Sequence, residues 1–379
     1  MGTFFKYGSF ILFVFIIVVS LFIYKSKYVN QKAEEITKSS DSLKQDPVLA
    51  EIDNMTIDEK VGQMFMLGVF ESGWETIIEQ AISEKTIGGI LITGSNVKET
   101  SDIRSAIEEF QSIARQTEQP KLLVSVDQEG GIASRFIGDG FVNTAQWEIK
   151  NAKQAYETAF KRAVELNALG FNTNFSPVLE HVTNSKSFLY PRVFRGNKDE
   201  IIEWGGAMVR GYKDGGIIST VKHFPGHLDD SLDSHRELPE VNVQSENKEE
   251  YLSVFKEIIK EENPAMVMTA HVLVPFFDEE YPATLSSKII KGILREEFGY
   301  DGVIITDDME MGAIRNSFTL EAAVIRAVEA GNDILLFTSS SERQRQAYGI
   351  LLDAVKYGRI DETRIDQSLQ RIMRLKLTY

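Results

Sequence analysis

The sequence predicts an α/β protein, a (β/α)8 TIM-type barrel over residues 49–379. Short apolar runs alternate with amphipathic helical stretches along this part of the chain. The runs are continuously hydrophobic rather than alternating, which is typical of parallel strands that helices cover on both faces. Eight such runs fit a closed barrel, and a doubly wound open sheet is the alternative.

The candidate strands are residues 64–69, 88–93, 122–126, 171–176, 217–222, 265–269, 303–306 and 333–337. Candidate helices cover residues 102–116, 151–169, 248–262, 287–298, 320–330 and 361–375. Before the first strand, Thr56 and Glu59 have the spacing of a capping box, which predicts the start of a short helix. Gly299 and Gly331 follow two of the helices, where C-capping glycines are common.

Polar side chains capable of chemistry stand at or just after five of the candidate strands. They are Asp127, Asn174, Lys222, His223, His271 and Asp307. A barrel gathers these strand ends into one ring, whereas an open sheet would leave some of them far from its crevice. Their distribution therefore favours the barrel.

The composition narrows the range of functions. With 379 residues, 43% of them hydrophobic, the chain can bury a large core. The net charge is -15 and no cluster of Lys or Arg could neutralise phosphates, so nucleic acid is not expected as a partner. The absence of cysteine excludes disulfides, a thiol nucleophile and a thiolate zinc site.

Residues 1–25 are expected to form a transmembrane signal-anchor. The run from 8 to 24 carries no charge, and its 17 residues at about 1.5 Å each just span a hydrocarbon core of about 30 Å. A cleaved signal peptide is the alternative, but the end of this apolar run lacks the small residues that usually mark a cleavage site. Residues 26–48 are too polar to pack and are predicted to be a solvated tether.

Two adjacent carboxylates, Asp307 and Asp308, follow the candidate strand 303–306. Asp307 continues the strand, and a carboxylate held there among low-dielectric walls is a candidate nucleophile or stabiliser of a developing cation. For Asp308, the N-cap of the following helix is as good an interpretation as any other role.

A long polar loop begins at Lys222 and His223, which are candidate donors to hydroxyl or carbonyl groups of a polar ligand. Later in the loop, Asp233 and His235 are two residues apart. A carboxylate beside an imidazole suits a group that gives up a proton and takes it back. The alternative is a pair of loop residues that bond their own backbone.

Three histidines of this loop, His223, His227 and His235, suggest a zinc site. Pro225 and Gly226 break the helix that would align the first two imidazole rings. We therefore expect no metal at this loop, and no cofactor.

A polar turn with the sequence DQEGG begins at Asp127, after the third candidate strand. Its two glycines let the backbone approach a ligand closely, and Asp127 can accept hydrogen bonds from vicinal hydroxyls. Arg135 follows shortly after the turn. The alternative is an ordinary polar turn with a salt bridge.

These residues occur in motifs that resemble those of glycoside hydrolase family 3. VDQEGG, KHFPGH…DSH, MTAH, PATLS and ITDDMEM have the order and spacing of the family, and most resemble its β-N-acetylhexosaminidase branch. The resemblance extends from residues 55–63 to the final helix. It implies a single (β/α)8 catalytic domain that acts on carbohydrate.

By analogy, Asp307 matches the catalytic nucleophile, His235 the general acid/base and Asp233 the carboxylate that supports it. Substrate-binding positions carry over to Asp127, Arg135, Arg192, Lys222 and His223. Many relatives with glucosidase activity take their acid/base from a second domain. The resemblance therefore implies that here a loop of the barrel itself supplies this group.

Three positions depart from the family pattern. The family usually has Gly and Thr where this chain has Leu228 and Asp230, and Arg in place of Ile132. Leu228 is expected to stiffen the loop that carries His235, and Asp230 adds a negative charge near it. These departures bear on rate and substrate preference more than on reaction class.

The resemblance implies a retaining exo-glycosidase for terminal β-linked N-acetylglucosamine, with peptidoglycan fragments as the expected source. The alternatives are a family 3 β-glucosidase or phosphorylase, and a non-catalytic protein that binds cell-wall sugars. Basic residues after the anchor would by themselves place the domain in the cytoplasm, but a large domain can be translocated whatever its flanking charges. We expect a single-pass protein of the cell membrane with an extracellular catalytic domain, where such material is found.

Overall fold

The computed structural model describes residues 46–68, 73–93, 100–138, 140–229, 232–338 and 340–379, together with Lys25 and Lys27. The chain divides into two compact units after Asn54. The first unit contributes the helix Pro47–Asn54, whose first turn is closed by a hydrogen bond from Val48 N to Asp46 Oδ1 at 2.9 Å. The second unit, Met55–Tyr379, contains the barrel.

In the second unit, eight parallel strands form a closed barrel in sequence order, and β1 pairs with β8. The strands are β1 (Phe65–Gly68), β2 (Gly89–Ile92), β3 (Leu123–Val126), β4 (Thr173–Asn174), β5 (Ile218–Phe224), β6 (Met266–Thr269), β7 (Val303–Asp308) and β8 (Ile334–Phe337). All strand residues are buried except Asp307 and Asp308, which are partly exposed at the end of β7. Two carboxylates are thus the accessible part of an otherwise covered sheet.

Helices surround the strands. The α-helices described in this unit are Ile57–Gln63, Trp74–Ser83, Thr100–Gln116, Ala152–Ala168, Lys198–Asp214, Lys248–Glu262, Gly312–Arg315, Leu320–Ala330, Ser341–Lys356 and Glu362–Thr378. A π-helix covers Lys288–Glu297, and short 3-10 helices occur at Gln146–Glu148, Tyr190–Arg192, Ser245–Asn247 and Ala283–Leu285. The predicted capping box is confirmed, because Thr56 and Glu59 bond each other's backbone N–H groups.

The barrel prediction is confirmed, and each of the eight predicted strands overlaps an observed one. The observed β5 and β7 each extend two residues beyond the predicted end. The prediction did not single out the helix Lys198–Asp214, whose glycines lower helix propensity. Helix packing accounts for a glycine at position 211, because a Cβ on Gly211 would lie 2.5 Å from Tyr156 O in the neighbouring helix. Close helix contact therefore outweighs the unfavourable local propensity.

Apart from Lys25, the predicted anchor, residues 1–25, lies outside the described residues, as does most of the predicted tether, residues 26–48. Among the residues that are described, no helix combines the length and apolar character needed to cross a bilayer. The described helix Pro47–Asn54 begins slightly before residue 49, where the folded domain was predicted to start. The anchor and the tether stay predictions.

Asp333 fastens the amino-terminal end of β8, at the opposite rim from the carboxyl ends of the strands. Its Oδ2 accepts hydrogen bonds from Arg295 Nη2 at 2.6 Å and from Ile304 N at 2.9 Å. Its Oδ1 accepts one from Ser368 Oγ at 2.7 Å. The hydrogen-bonding capacity of this carboxylate is used within the protein, as is typical of a structural group at this face of a barrel.

Candidate active site

The predicted site residues lie on one rim of the barrel. Asp127 follows β3, Lys222 and His223 belong to the end of β5, and Asp307 lies near the end of β7. Arg192 closes the 3-10 helix Tyr190–Arg192 after β4, while Arg135, Asp233 and His235 lie on loops that follow β3 and β5. The carboxyl-terminal rim is where barrels of this type carry their active sites.

A cluster of opposite charges forms the floor of the site. Lys222 Nζ lies 2.7 Å from Asp127 Oδ1 and 2.6 Å from Glu129 Oε1. Arg192 donates two hydrogen bonds to the same Glu129, from Nε at 2.9 Å and from Nη2 at 2.7 Å. Burial opposes ionisation of Glu129, but the charges of Arg192 and Lys222 outweigh it and hold the pKa of the carboxyl well below its usual range. Glu129 is therefore the shared anchor of both cations.

The turn that presents Asp127 depends on glycine. Gly130 and Gly131 have positive φ angles of 97° and 60°, a conformation that favours glycine. A Cβ on Gly130 would lie only 2.1 Å from a backbone carbonyl oxygen. Beyond the turn, Arg135 Nη2 lies 3.6 Å from Asp127 Oδ2, so Asp127 has the charge of Lys222 on one side and that of Arg135 on the other.

His223 lies between two carboxylates. Its Nδ1 is 2.8 Å from Glu180 Oε1, and its backbone N–H donates to the same oxygen at 3.1 Å. On the other side of the ring, Nε2 is 4.0 Å from Asp307 Oδ2. The ring therefore bonds the buried Glu180 on one side and faces the partly exposed Asp307 on the other.

Asp307 is held as a carboxylate. Burial raises the pKa of Asp307. The charges of His223 and His271, together with a 2.8 Å hydrogen bond from the backbone N–H of Asp308, outweigh this effect and lower the pKa to about 2. Its side chain is 19% exposed, so a ligand can reach it. An ionised, reachable carboxylate is what a nucleophile requires.

Asp308 is not the N-cap of the helix Gly312–Arg315, because that position belongs to Met311. Its carboxyl instead joins β7 to the end of β8, where Oδ1 accepts from Thr338 N at 3.2 Å and Oδ2 from Thr338 Oγ1 at 2.5 Å. Burial, together with the charges of neighbouring carboxylates, raises its pKa to about 7. The two adjacent carboxyls are thus held in opposite protonation states between about pH 2 and pH 7.

This difference predicts a pH effect for Asp308→Asn. In wild type the protonated carboxyl contributes stability that is complete below its ordinary pKa of 3.8 and is lost as the pH rises through about 7. Asparagine copies the protonated form. The free energy of unfolding, measured by urea denaturation, should therefore decline less for the variant than for wild type between about pH 4 and pH 7. Equal slopes for the two proteins would contradict the raised pKa, and the exposed Asp301→Asn serves as control.

Asp233 and His235 form a pair on the loop after β5. His235 Nδ1 is 2.7 Å from Asp233 Oδ1, which also accepts the backbone N–H of His235 at 3.1 Å. Burial raises the pKa of Asp233, but its hydrogen bonds with His235 outweigh this and lower it. The imidazole is 61% exposed, so the supporting carboxylate holds it while its other nitrogen stays accessible.

Backbone hydrogen bonds dock this pair onto the segment that follows β7. Gly312 N donates to His235 O at 3.0 Å, and Ala313 N donates to Ser234 O at 3.1 Å. A Cβ on Gly312 would lie 2.2 Å from Arg236 O, so the contact requires glycine. The loop that carries His235 is therefore tied to the chain just after Asp307.

Aromatic rings pack beside the pair. Phe188 makes edge contacts with His235 and His227, at ring-centroid distances of 6.4 and 5.3 Å. Burial lowers the pKa of His227 to about 4, so its ring is neutral at ordinary pH. Within the described ranges, no three His, Asp or Glu side chains are grouped closely enough to hold a metal ion.

Two hollows flank the loop. A cavity of about 600 Å³ is lined by Glu180, His227 and Tyr251 among others, and a second of about 350 Å³ by Phe188, Leu232 and Asp233 among others. The second hollow lies beside the Asp233–His235 pair and provides space for a group attached to a bound ligand.

Two of the three departures from the family pattern are described. Ile132 is 71% exposed at the turn after β3, and Leu228 is 36% exposed on the loop after β5. Asp230 lies outside the described residues. The expected stiffening of the loop by Leu228 stays a prediction.

Sequence reasoning missed two buried carboxylates, Glu129 and Glu180. Glu129 lies inside the predicted turn, so its position next to Asp127 was the available signal. Glu180 follows β4, and no motif in the sequence distinguishes it.

Two other predicted strand-end residues bond the backbone. The side chain of Asn174 exchanges hydrogen bonds of 2.9 and 3.0 Å with the backbone of Gln128. His271 Nε2 lies 2.9 Å from Asp308 O.

Comparisons with known proteins agree with this geometry. Residues 56–375 match the family described as glycosyl hydrolase family 3 N terminal domain. Beta-hexosaminidase A of Pseudoalteromonas piscicida is 33% identical over an alignment of 326 residues, and the match covers 79% of this chain and 54% of that protein. A beta-hexosaminidase of Neisseria meningitidis is 32% identical over an alignment of 270 residues, and the match covers 68% of this chain and 73% of that protein.

A solved structure shows the same architecture. The glycoside hydrolase family 3 beta-N-acetylglucosaminidase from Paenibacillus sp. str. FPU-7 superposes with a TM-score of 0.80 at 39% identity, covering 85% of this chain and 62% of that one. This chain thus spans 54% and 62% of the lengths of the Pseudoalteromonas and Paenibacillus proteins. The barrel, its charged rim and the match over residues 56–375 together show that this chain belongs to glycoside hydrolase family 3.

Proposed function

We propose that this protein is a retaining exo-glycosidase that hydrolyses terminal β-linked N-acetylglucosamine, with peptidoglycan fragments as its source. The observation that carries the proposal is the backbone docking of the loop with the Asp233–His235 dyad onto the segment that follows the ionised Asp307. The names of the similar proteins, beta-hexosaminidase and beta-N-acetylglucosaminidase, support the choice of sugar.

In the first step, Asp307 attacks the anomeric carbon while the bond to the leaving oxygen breaks. His235 donates a proton to that oxygen, so that the aglycone leaves as a neutral alcohol and the sugar is bound to Asp307. The neutral imidazole then takes a proton from water, which attacks the same carbon and releases Asp307 as a carboxylate. Two inversions at one carbon retain the β configuration.

The other site residues bind the sugar. Asp127 accepts hydrogen bonds from its hydroxyls, while Lys222, Arg135 and Arg192 surround Asp127 and Glu129 with positive charge. His223 offers its Nε2 beside the nucleophile. This fixed set of charges orients the anomeric carbon toward Asp307 and requires no metal or cofactor.

A substrate comparison tests the proposal. The full chain is incubated with aryl β-N-acetylglucosaminide and aryl β-glucoside, each with and without phosphate, and the product anomer is identified by NMR. We expect faster release from the N-acetylglucosaminide, no dependence on phosphate and β-N-acetylglucosamine as first product. Preference for the glucoside, a sugar phosphate as product, or no turnover would support the β-glucosidase, the phosphorylase or the binding protein instead. Mass spectrometry of digested muropeptides then tests the natural source.

His235→Ala should separate acid catalysis from nucleophilic attack. Proton transfer by a positioned side chain contributes about 10²- to 10⁴-fold, so we expect a loss of that size for substrates with a sugar or alkyl leaving group. For an aryl group that leaves as a stable phenolate, glycosylation needs little proton donation and should slow much less. Measuring kcat/KM on both substrate types checks this, with His181→Ala as the matched control. Equal losses on both substrates would contradict the acid role.

We also propose that residues 8–24 anchor the protein in the cell membrane, with the catalytic domain outside the cytoplasm. The uncharged run of these residues supports the anchor, and a cell-wall substrate supports the orientation. Fractionation of cells, followed by protease treatment of intact spheroplasts, tests both points. Recovery in the supernatant fraction would refute the anchor, and protection from protease would refute the orientation.

A further inference from the structure

Glu180 is a buried carboxylate that the proposed reaction does not use. It follows β4, and its side chain is fully inaccessible to solvent. Its Oε1 lies 2.8 Å from Nδ1 of His223 and accepts the backbone N–H of the same residue at 3.1 Å. Both contacts therefore serve one residue, at the end of β5.

The second carboxylate oxygen of Glu180, Oε2, has no hydrogen-bond partner among the described residues. Glu180 thus differs from Glu129, whose two oxygens are bonded to Arg192 and Lys222. Burying a carboxylate is costly unless its partners compensate. With His223 as its hydrogen-bonding partner, the reason for this burial lies in what the carboxylate does to that imidazole.

The contact determines how the imidazole is protonated and turned. Burial raises the pKa of Glu180, but the adjacent charge of His223 and the hydrogen bonds from that residue hold the pKa below its usual range. An ionised carboxylate only accepts hydrogen bonds, so Nδ1 of His223 carries the proton between them. Nε2 is then directed to the opposite side, where Asp307 Oδ2 lies 4.0 Å away. A flipped ring would place a carbon against Glu180 and lose the bond.

We infer that Glu180 is a positioning residue that keeps His223 protonated on Nδ1 and presents Nε2 to a sugar hydroxyl beside the nucleophile Asp307. The identity of the sugar rests on the proposed function, whereas the protonation of His223 does not. Without Glu180 the ring can rotate, and Nε2 no longer has a fixed place. Misplacement of a site group by about 1 Å can cost about 100-fold in rate, which is the loss expected in kcat/KM.

Two substitutions separate geometry from charge. Glu180→Gln keeps a carbonyl oxygen that can accept the Nδ1 proton, whereas Glu180→Ala removes the acceptor altogether. The matched control is Asp278→Asn, which changes a buried carboxylate bonded to Ser286 Oγ rather than to a site residue. Each full-length protein is assayed for kcat and KM, and its folding is checked by thermal unfolding.

The independent readout is NMR of protein labelled with 15N in histidine. The chain has five histidines, and the signals of His223 are assigned with a His223→Gln variant. We expect a proton on Nδ1 of His223 in wild type, in Glu180→Gln and in Asp278→Asn, but not in Glu180→Ala. We expect kcat/KM to fall about 100-fold in Glu180→Ala and to be largely rescued in Glu180→Gln.

Two results would overturn the inference. One is a wild-type spectrum in which Nδ1 of His223 carries no proton, which decides the matter even where Glu180→Ala does not fold. The other is a folded Glu180→Ala protein with the kcat/KM of the Asp278→Asn control. Should the wild-type protein hydrolyse no glycoside, the proposed function fails, while the spectrum still tests the role of Glu180.

Discussion

Replacing Asp307 by Asn should lower kcat/KM for an aryl β-N-acetylglucosaminide by at least about 10⁴-fold, as removal of a covalent nucleophile does in other enzymes. The amide keeps the size and the hydrogen bond from Asp308 N but cannot form the bond to the anomeric carbon. The wild-type carboxyl has a pKa of about 2, so it is ionised and ready to react throughout the ordinary pH range. Steady-state kinetics with purified full-length protein measures the loss.

The control for this substitution is Asp301→Asn. Asp301 lies just before the opposite end of β7, where it is 77% exposed and pairs with Arg371 at 2.9 Å. Residues at that rim stabilise the barrel and do not take part in the reaction, so removing the charge of Asp301 should leave kcat/KM unchanged. In Asp307→Ala, added azide should fill the vacant space and give the α-glycosyl azide. An Asp307→Asn protein with wild-type turnover would refute the covalent mechanism.

Replacing Glu129 by Gln should both destabilise the protein and impair sugar binding. Removing one member of a buried ion pair leaves an uncompensated charge and typically costs about 3 to 5 kcal/mol. Here Arg192 loses both of its hydrogen bonds to a carboxylate, and Lys222 keeps Asp127 as its remaining anion. Urea denaturation measures the loss in the free energy of unfolding. A lower kcat/KM would show that Arg192 and Lys222 are displaced from their positions in the site.

A surface pair provides the comparison for Glu129. Glu108 accepts a hydrogen bond from Arg104 at 2.9 Å, but both side chains are more than half exposed. Exposed pairs of this kind contribute little, so Glu108→Gln should unfold at the same urea concentration as wild type. If Glu129→Gln behaved like Glu108→Gln, the buried cluster would not hold the floor of the site.

Continuous apolar runs predicted parallel strands covered on both faces, because such strands are mostly hydrophobic. The polar residues at the strand ends then favoured a closed barrel over an open sheet. The rim could be predicted for a related reason. In a closed barrel every carboxyl end of a strand lies on the same side, so Asp127, Lys222, His223 and Asp307 had to share one rim wherever the helices lay. Motif spacing then assigned roles to these residues through the resemblance to a family.

Other features depended on contacts between distant parts of the chain. Glu129 meets Arg192 across 63 residues, and Glu180 meets His223 across 43. Asp308, which the sequence made a candidate N-cap, instead bonds Thr338 after the neighbouring strand β8, 30 residues away. Every Asp or Glu carboxyl starts from the ordinary pKa of its residue type in the unfolded chain. Its pKa and its role in the folded protein depend on the charges that folding brings close to it.

The sequence by itself thus determined the barrel and the rim on which the reactive side chains lie, because the hydrophobic pattern and the order of the strands can be read along the chain. Only the tertiary structure decided that Glu129 anchors two cations, that Glu180 orients His223, and that neighbouring carboxyls at the end of β7 differ in protonation. These outcomes follow from burial and from distances between charges, which exist only after the chain has closed on itself.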